Sequence, residues 1–461
     1  MSYVRSPRRV EREGRPVSPE SADQRSGHQK AVALGLFVLT LFLAGYTMLR
    51  NVSGELADAT ADWLVVTAAT DGLDPYQDLV DLAEHYGIEY APVAADELGD
   101  FERVHPRTPG ALMLLAPLAA LPASWAHPFM VVLNLAGLAW VWLVALPRFE
   151  WTASANRLPI LGALLAATMA FLHTLEYGTH SSLLLLLVIV YWSRMRARDS
   201  SVAGTALGVG IALRLFPALL LLPGLHWRRW RAVTASILSF LLLNVAGSIV
   251  FDLSPADALG ALRSASDEWM MFSGNGSIAM PLARSGLSST IASLVTVIVG
   301  LLGAVFWLRR ARRHSWDETI AVLVVVMLLA SPLSWDHYDV LTFPVVAWVL
   351  LDRERWPIPS RMLAGSWILL QLIGPALNSW MGTPSSGVFG SLALLGRLML
   401  LTALLVGAAS SQSRRIGRTD TTSWLEASKP VFEPEQGARG REGLPGSADP
   451  SSAMTPAVGE R

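Results

Sequence analysis

The chain contains no cysteine, so disulfides, Cys-zinc sites and thiol nucleophiles are excluded together. A Gly-rich phosphate loop ending in Gly-Lys and the HExxH metal motif are missing too, which argues against soluble nucleotide-dependent chemistry. Charge is scarce. Asp, Glu, Lys and Arg make up 16% of the 461 residues, against about 25% in an ordinary soluble domain. The 36 Lys and Arg nearly balance the 37 Asp and Glu, and a net charge of −1 gives no field that points to nucleic acid. Apolar residues dominate instead, at 52% with a mean hydropathy of +0.41. They come in long runs separated by short basic clusters, the pattern of an all-α polytopic membrane protein.

Apolar runs fall near 31–49, 126–146, 158–174, 180–193, 201–213, 215–225, 232–251, 289–308, 318–333, 340–351, 361–379 and 389–409. Arginines collect before 31, at Arg148 and Arg157, at 194–198, 228–231 and 309–313, at Arg353 and Arg355, and at 414–418. The alternate loops 51–125, 252–288, 334–339 and 380–388 are poor in them. Basic loops stay cytoplasmic, so about twelve crossings with both ends inside satisfy every cluster. The segments 1–30 and 411–461 are polar and rich in Pro, Ser, Gly and charge, and read as disordered cytoplasmic tails flanking a transmembrane domain at 31–410. The first run is too long for a signal-peptide core and lacks a small-residue cleavage site, which predicts an uncleaved anchor. Two segments need interpretation. The stretch 108–122 is short and broken by Pro117, and reads as a helix lying in the outer interface. The stretch 201–225 contains Arg214 and Pro217. Intramembrane charge is costly and proline weakens the helix, so two short helices meeting at Arg214–Pro217 are predicted.

The long loop after the first run carries thirteen Asp and Glu between 51 and 107 against Arg103 and Arg107. Most of these acids read as a solvated face. Asp62 is followed by apolar residues that would bury it, which suits a general base held in a partly dry site. Asp58, Asp71 and Asp74 compete with it, and Asp74-Pro75-Tyr76 also reads as a turn. In SPLSWDHYDV (331–340), Asp336, His337 and Tyr338 sit in a tight loop between two runs. There His337 can donate to a phosphate oxygen, while Asp336 can fix its tautomer or bind a sugar hydroxyl. An interfacial aromatic belt is the ordinary use of such residues. Arg214 offers a bidentate donor for a lipid phosphate, or else snorkels to headgroups. Asn275 and Ser277 in SGNGS can hydrogen-bond a sugar or simply make a turn. His105 and Arg107 open the interfacial segment and add charge near the same surface. His173, Glu176 and His180 surround another outer turn, but their spacing on a loop is not diagnostic of metal.

The order of DWLVVTAATDGLDPY (62–76), PGALMLLAPLAALP (109–122), GTALGVGIALRLFPALLLLPGLHWRRWRAV (204–233), GNGSIAMPLAR (274–284) and LLASPLSWDHYDVLTFP (328–344) resembles glycosyltransferase family 87. That family contains bacterial polyprenyl-phosphate-mannose-dependent mannosyltransferases of the GT-C class, and the resemblance runs over roughly 31–410. It implies a GT-C fold, with transmembrane helices around a cavity open to the outer leaflet and roofed by the first extracytoplasmic loop. The family's general base falls on Asp62, its phosphate-side basic residue on Arg214 and its WDHY histidine on His337. This chain departs from the pattern at Val66 and Thr67, at the His105–Pro109 segment and at Gly178-Thr179, in the regions that contact sugar and acceptor.

The resemblance implies inverting transfer of a hexose, mannose first, from a polyprenyl-phosphate sugar to a glycolipid or glycan hydroxyl outside the bacterial plasma membrane. Asp62 takes the hydroxyl proton while Arg214 and His337 stabilise the departing lipid phosphate. Asp336, Tyr338, Asn275, Ser277, His105 and Arg107 are then the sugar- and acceptor-binding candidates. No metal or other cofactor is expected, and the partners are donor, acceptor and membrane lipids. A pentose such as arabinofuranose can replace mannose. Two rivals are a transporter or flippase and a non-catalytic binder of lipid-linked sugar. Transporters favour matched broken helices in repeated halves, and this sequence shows one break and no evident repeat.

Overall fold

The computed structural model describes residues 58–88, 104–149, 158–197, 199–270, 274–310, 315–381 and 388–427. The first apolar run, the N-terminal tail, residues 89–103 of the long loop and the C-terminal tail beyond 427 lie outside the described residues. Residues 1–413 form one compact unit and 414–461 a second. The described residues are almost entirely helical, and the β-pairing among them is an isolated bridge between Asn275 and Trp335.

Among the described residues, four helical stretches are long and apolar enough to cross a membrane: Ala123–Arg148, Trp230–Val250, Ser289–Arg310 and Gly390–Ser410. A fifth is a pair, Leu158–Ala166 and Met169–Glu176, bent by 55°. Several other runs among the described residues fold as shorter pieces, so about twelve crossings cannot be counted from single long helices. The helix Ser200–Leu213 has 14 residues, about 21 Å of rise against a hydrocarbon core of about 30 Å. Ser181–Arg196 and Trp316–Ala330 are similarly short. Local chemistry ends them. Ser315 and Glu318 close a capping box at the start of Trp316–Ala330, and Pro332 follows its last turn. The 340–351 run begins as a 3-10 turn, Asp336–Thr342, before Phe343–Leu351.

We number the helices that build the site in chain order: α1 (Asp58–Thr70), α2 (Leu79–His85), α3 (Pro109–Leu115), α4 (Ala123–Trp140), α5 (Leu158–Ala166), α6 (Met169–Glu176), α7 (Ser181–Arg196) and α8 (Ser200–Leu213). After the break come α9 (Leu221–His226) and α10 (Trp230–Val250). The break at Arg214 falls as expected. Arg214 adopts an extended backbone at the end of α8, and Pro217 sits in the short 3-10 turn Phe216–Leu220. The segment 108–122 is α3 followed by a 3-10 turn at Ala116–Ala120, which contains Pro117.

Packing inside the helical body uses small residues. A Cβ at Gly204 or Gly208 would run into the carbonyl oxygens of Ala232 and Ser236, so α8 and α10 touch backbone to backbone. Ser236 fills the seam, its hydroxyl reaching the Gly204 and Ala232 carbonyls at 2.9 Å each. On the opposite face of α10, Ile237, Leu238, Leu241, Leu242, Val245 and Ile249 are exposed, as a lipid-facing surface requires. A different cluster holds the first loop. Trp63, Leu64, Val66, Leu79, Leu82, Leu112, Leu115, Met130 and Phe251 bury one another where α1, α2, α3 and α4 meet. Each fully buried leucine there is worth roughly 1.5–3 kcal/mol.

Gly208→Val is expected to force α8 and α10 apart, lowering stability by about 1–3 kcal/mol. Thermal unfolding in detergent, followed by tryptophan fluorescence, should show the loss for Gly208→Val and little change for Leu242→Ala on the lipid-facing side.

Candidate active site

Asp62 lies one turn into α1 and is fully buried. Its approach to the body depends on the turn after α6. The Ala59 amide donates to the Tyr177 carbonyl at 3.0 Å. Gly178 adopts φ 63°, and a Cβ there would press on Ala59 and His127. Glycine tolerates both constraints, so α1 rests directly on this turn and Asp62 faces His180. Of the competing acids, Asp71 and Asp74 are exposed and Asp58 is half-buried at the helix start. Asp71 accepts from the Tyr86 hydroxyl, and Asp74 makes a local turn to the Tyr76 amide.

The segment before α3 supplies two partners. Arg107 Nε donates to Asp62 Oδ1 at 2.6 Å, and His105 Nε2 lies 2.9 Å from the same oxygen. Thr108 fixes the segment: its hydroxyl caps α3 by accepting from the Ala111 amide and donates to the Ala212 carbonyl at 2.7 Å. The Tyr76 hydroxyl holds the Arg107 carbonyl at 2.9 Å. Asn244 accepts from the Gly110 amide, and Gly247 gives room for the Pro109 carbonyl, so α3 is seated on α10. The Thr108–Ala212 bond thus ties the backbone beside Arg107 to the backbone just before Arg214.

Arg214 Nε donates to His180 Nε2 at 3.1 Å, and its guanidinium stacks over the Tyr338 ring at 5.5 Å. Because His180 Nε2 accepts, its proton sits on Nδ1, which lies 3.6 Å from Asp62 Oδ2. That is too long for a hydrogen bond. Burial opposes the charge on Asp62, yet Arg107, with His105 and the nearby His180 ring, holds the carboxyl well below the usual carboxylate range. Burial, reinforced by the Arg107 charge, lowers His105, whose ring is therefore neutral and donates from Nε2. Burial also pushes His337 well below its ordinary value; the Asp336 carboxylate opposes this and Arg214 adds to it.

Five buried polar atoms in this region have no hydrogen-bond partner: Asp62 Oδ2, Arg107 Nη1 and Nη2, His180 Nδ1 and His337 Nε2. Orphaned buried donors and acceptors are costly, and their concentration in one place makes this the candidate site. The structure therefore brings together Asp62, His105, Arg107, Arg214 and Tyr338, with His337 against Tyr338 at 4.5 Å between ring centroids.

Other sequence candidates are used differently. Asp336 does not fix the His337 tautomer: its Oδ2 pairs with His173 Nδ1 at 2.6 Å, and His337 Nδ1 lies 3.9 Å from Oδ1. Asn275 and Ser277 are engaged by neighbouring backbone groups. The Asn275 side chain donates to the Met270 and Pro332 carbonyls and accepts from the Ser277 and Ser334 amides. Ser277 Oγ donates to the Pro332 carbonyl at 2.8 Å. Both are the clasp that joins loop 274–277 to loop 332–335. Since His173 pairs with Asp336 while His180 turns to Arg214, these histidines do not converge on one point, and among the described residues no His, Asp and Glu group has metal-holding geometry.

Sequence reasoning overlooked Arg397 and Asp339. Both are fully buried, and Arg397 Nε donates to Asp339 Oδ1 at 2.5 Å. The remaining guanidinium nitrogens reach the Gly276, Ser334 and Trp335 carbonyls and the Ser334 hydroxyl. Gln371 donates to the other Asp339 oxygen and accepts from the Ala170 amide at the start of α6. This network seats the Asp336–Tyr338 turn. The signal was present, since Arg397 is a lone charge inside an apolar run and such charges need a partner.

Arg397→Leu is expected to destabilise the fold by roughly 3–5 kcal/mol by stranding the Asp339 charge. The double variant Arg397→Leu with Asp339→Asn should recover part of that loss in thermal unfolding. An Arg397→Leu protein as stable as wild type contradicts the account.

The glycosyltransferase family 87 model matches residues 108–332. A polyprenol-phosphate-mannose-dependent alpha-(1-2)-phosphatidylinositol pentamannoside mannosyltransferase of Mycolicibacterium smegmatis is 27% identical over 301 residues, covering 62% of this chain and 71% of that protein. A polyprenol-phosphate-mannose-dependent alpha-(1-2)-phosphatidylinositol mannoside mannosyltransferase of Mycobacterium tuberculosis is 30% identical over 191 residues, covering 38% and 42%. An alpha-(1->3)-arabinofuranosyltransferase of Mycobacterium tuberculosis is 26% identical over 275 residues, covering 54% and 60%. The family match includes Arg214 but stops short of Asp62 on one side and His337 on the other. The chain thus resembles glycosyltransferase family 87 over residues 108–332, and together with its apolar helices these likenesses support a membrane glycosyltransferase.

Proposed function

We propose that the protein transfers a sugar, with inversion, from a polyprenyl phosphate to a hydroxyl of a glycolipid or glycan, using Asp62 as general base. The observation that carries this reading is the asymmetry of the Asp62 carboxylate. Oδ1 receives two hydrogen bonds, from Arg107 and His105, while Oδ2 is buried without a donor. One oxygen is anchored and the other is open to an incoming hydroxyl. As the hydroxyl oxygen bonds to the anomeric carbon, the bond from that carbon to the phosphate oxygen breaks, its electron pair leaves with the lipid phosphate, and the proton passes to Oδ2. A carboxylate held at low pKa is a weak base. It suffices because the attacking oxygen becomes acidic only as its new bond forms.

Arg214 and His337 receive the phosphate in this reading. Arg214 is half-buried at a helix break, and the neutral His337 ring carries a buried, unpartnered Nε2 that can donate. His105 and Tyr338 line the sugar and acceptor side. Mannose is the first choice of sugar, supported by the two mannosyltransferase relatives. The arabinofuranosyltransferase relative supports a pentose as the second reading. We further take the apolar runs as about twelve crossings of a bacterial plasma membrane, in a GT-C domain at 31–410 between cytoplasmic tails at 1–30 and 411–461. The active site then faces outward.

The test uses full-length protein in nanodiscs with labelled polyprenyl-phosphate mannose or arabinofuranose and a membrane glycolipid extract. Asp62→Asn should cut transfer by a factor of about 10²–10⁴ while donor binding persists. In the wild type, rate should fall only when pH drops below the usual carboxylate range, because protonation removes the base and its pKa is depressed. Undiminished transfer by Asp62→Asn would sink the assignment of the base, and no transfer from either donor would sink the transferase reading.

A further inference from the structure

We propose that Arg107 is a second phosphate-binding arginine, one guanidinium that holds the base at one end and the donor's phosphate at the other. This rests on the transferase reading. Arginine and carboxylate commonly pair through two parallel hydrogen bonds, but here a single nitrogen, Nε, engages Asp62. Nη1 and Nη2 are left buried with no partner, on a side chain that is almost wholly enclosed. Two buried, unpaired donors on a permanent cation are among the costliest groups a protein can enclose. An oxyanion with two acceptor oxygens in one plane removes that cost, and a phosphate has this geometry.

The surroundings say which oxyanion. The Thr108–Ala212 hydrogen bond ties the segment carrying Arg107 to the one carrying Arg214, and the two cations lie close enough to feel each other's charge. The Arg214 guanidinium lies on the Tyr338 ring, and His337 follows on the same turn with its Nε2 buried and unpartnered. Neither arginine is neutralised by the other's partner: Arg214 Nε is spent on a histidine, and Asp62 has no hydrogen bond to it. A phosphate between them satisfies donors from Arg107, Arg214 and His337 together. The same arrangement sets the separation of base and leaving group through a rigid planar group. Proton acceptance and phosphate departure are then held in register around the anomeric carbon.

Phosphate at this place has two sources, the polyprenyl phosphate of the donor and the headgroup of an anionic phospholipid; the proposal commits to the donor. The test measures binding of short-chain polyprenyl phosphate to full-length protein in phosphatidylcholine nanodiscs, comparing wild type, Arg107→Gln and Arg107→Lys. The same measurement is repeated with phosphatidylglycerol added as competitor. The probe carries no sugar, so the result does not depend on which sugar is transferred. Arg107→Gln should weaken polyprenyl phosphate binding by about tenfold or more. Arg107→Lys, which keeps charge but loses the fork, should restore part of it. Unfolding temperature reports whether either variant is misfolded, and an Arg107→Lys protein that folds as wild type keeps the comparison valid if Arg107→Gln does not. Wild-type-like binding by a folded Arg107→Gln or Arg107→Lys overturns the phosphate role alone, even if transfer is lost. Binding unchanged for polyprenyl phosphate but weakened for phosphatidylglycerol overturns the donor assignment. A wild type that binds no polyprenyl phosphate overturns both this inference and the transferase reading.

Discussion

A fully buried carboxylate cannot keep its charge unless the protein supplies compensating donors, and much of the described structure around Asp62 follows from that constraint. Arg107 and His105 reach it from a segment more than forty positions away. That segment is itself fixed at three points, by Thr108 to α8, by Asn244 on α10 and by Tyr76 from the loop beyond α1. The first loop is therefore no loose cover. Its own apolar cluster packs α1, α2 and α3 together, and the polar ties lock that cluster onto the helical body.

Two buried ion pairs divide the work. Asp339 with Arg397 is complete: every nitrogen of the guanidinium has a described partner, and the pair draws two loops, α6 and the last helix into a single arrangement. Asp62 with Arg107 is incomplete, with one carboxylate oxygen and two guanidinium nitrogens unsatisfied. A satisfied buried network rigidifies, while a partly satisfied one leaves costly unpaired groups. The two pairs differ in how fully their polar atoms are satisfied. Both are charged and both are buried, so burial alone does not distinguish them.

Pairing also reassigns several polar residues of the outer loops. Asn275 and Ser277 spend their hydrogen-bonding capacity on backbone groups of loop 332–335, and Asp336 spends its own on His173. Their chemistry suits sugar binding when read in isolation. What decides their use is the neighbouring backbone, whose amides and carbonyls must be satisfied once these loops are buried. His180 moves the other way, from a member of a weak metal-like spacing to the acceptor of the Arg214 hydrogen bond.

The membrane character, the break at Arg214–Pro217 and the burial of Asp62 were legible in the linear sequence. Each depends on local physics: run length, proline chemistry, and the cost of a charge among apolar neighbours. The order of motifs also carried the family resemblance. The number of long helices was not legible, because an apolar run shows that a segment avoids water and not where capping residues and prolines divide it. Arg107's place beside Asp62, the Arg214–His180 contact and the Arg397–Asp339 pair were settled only by tertiary structure. Their members are 45, 34 and 58 positions apart, and a hydrogen bond over such separations exists only once packed helices have brought the two ends together.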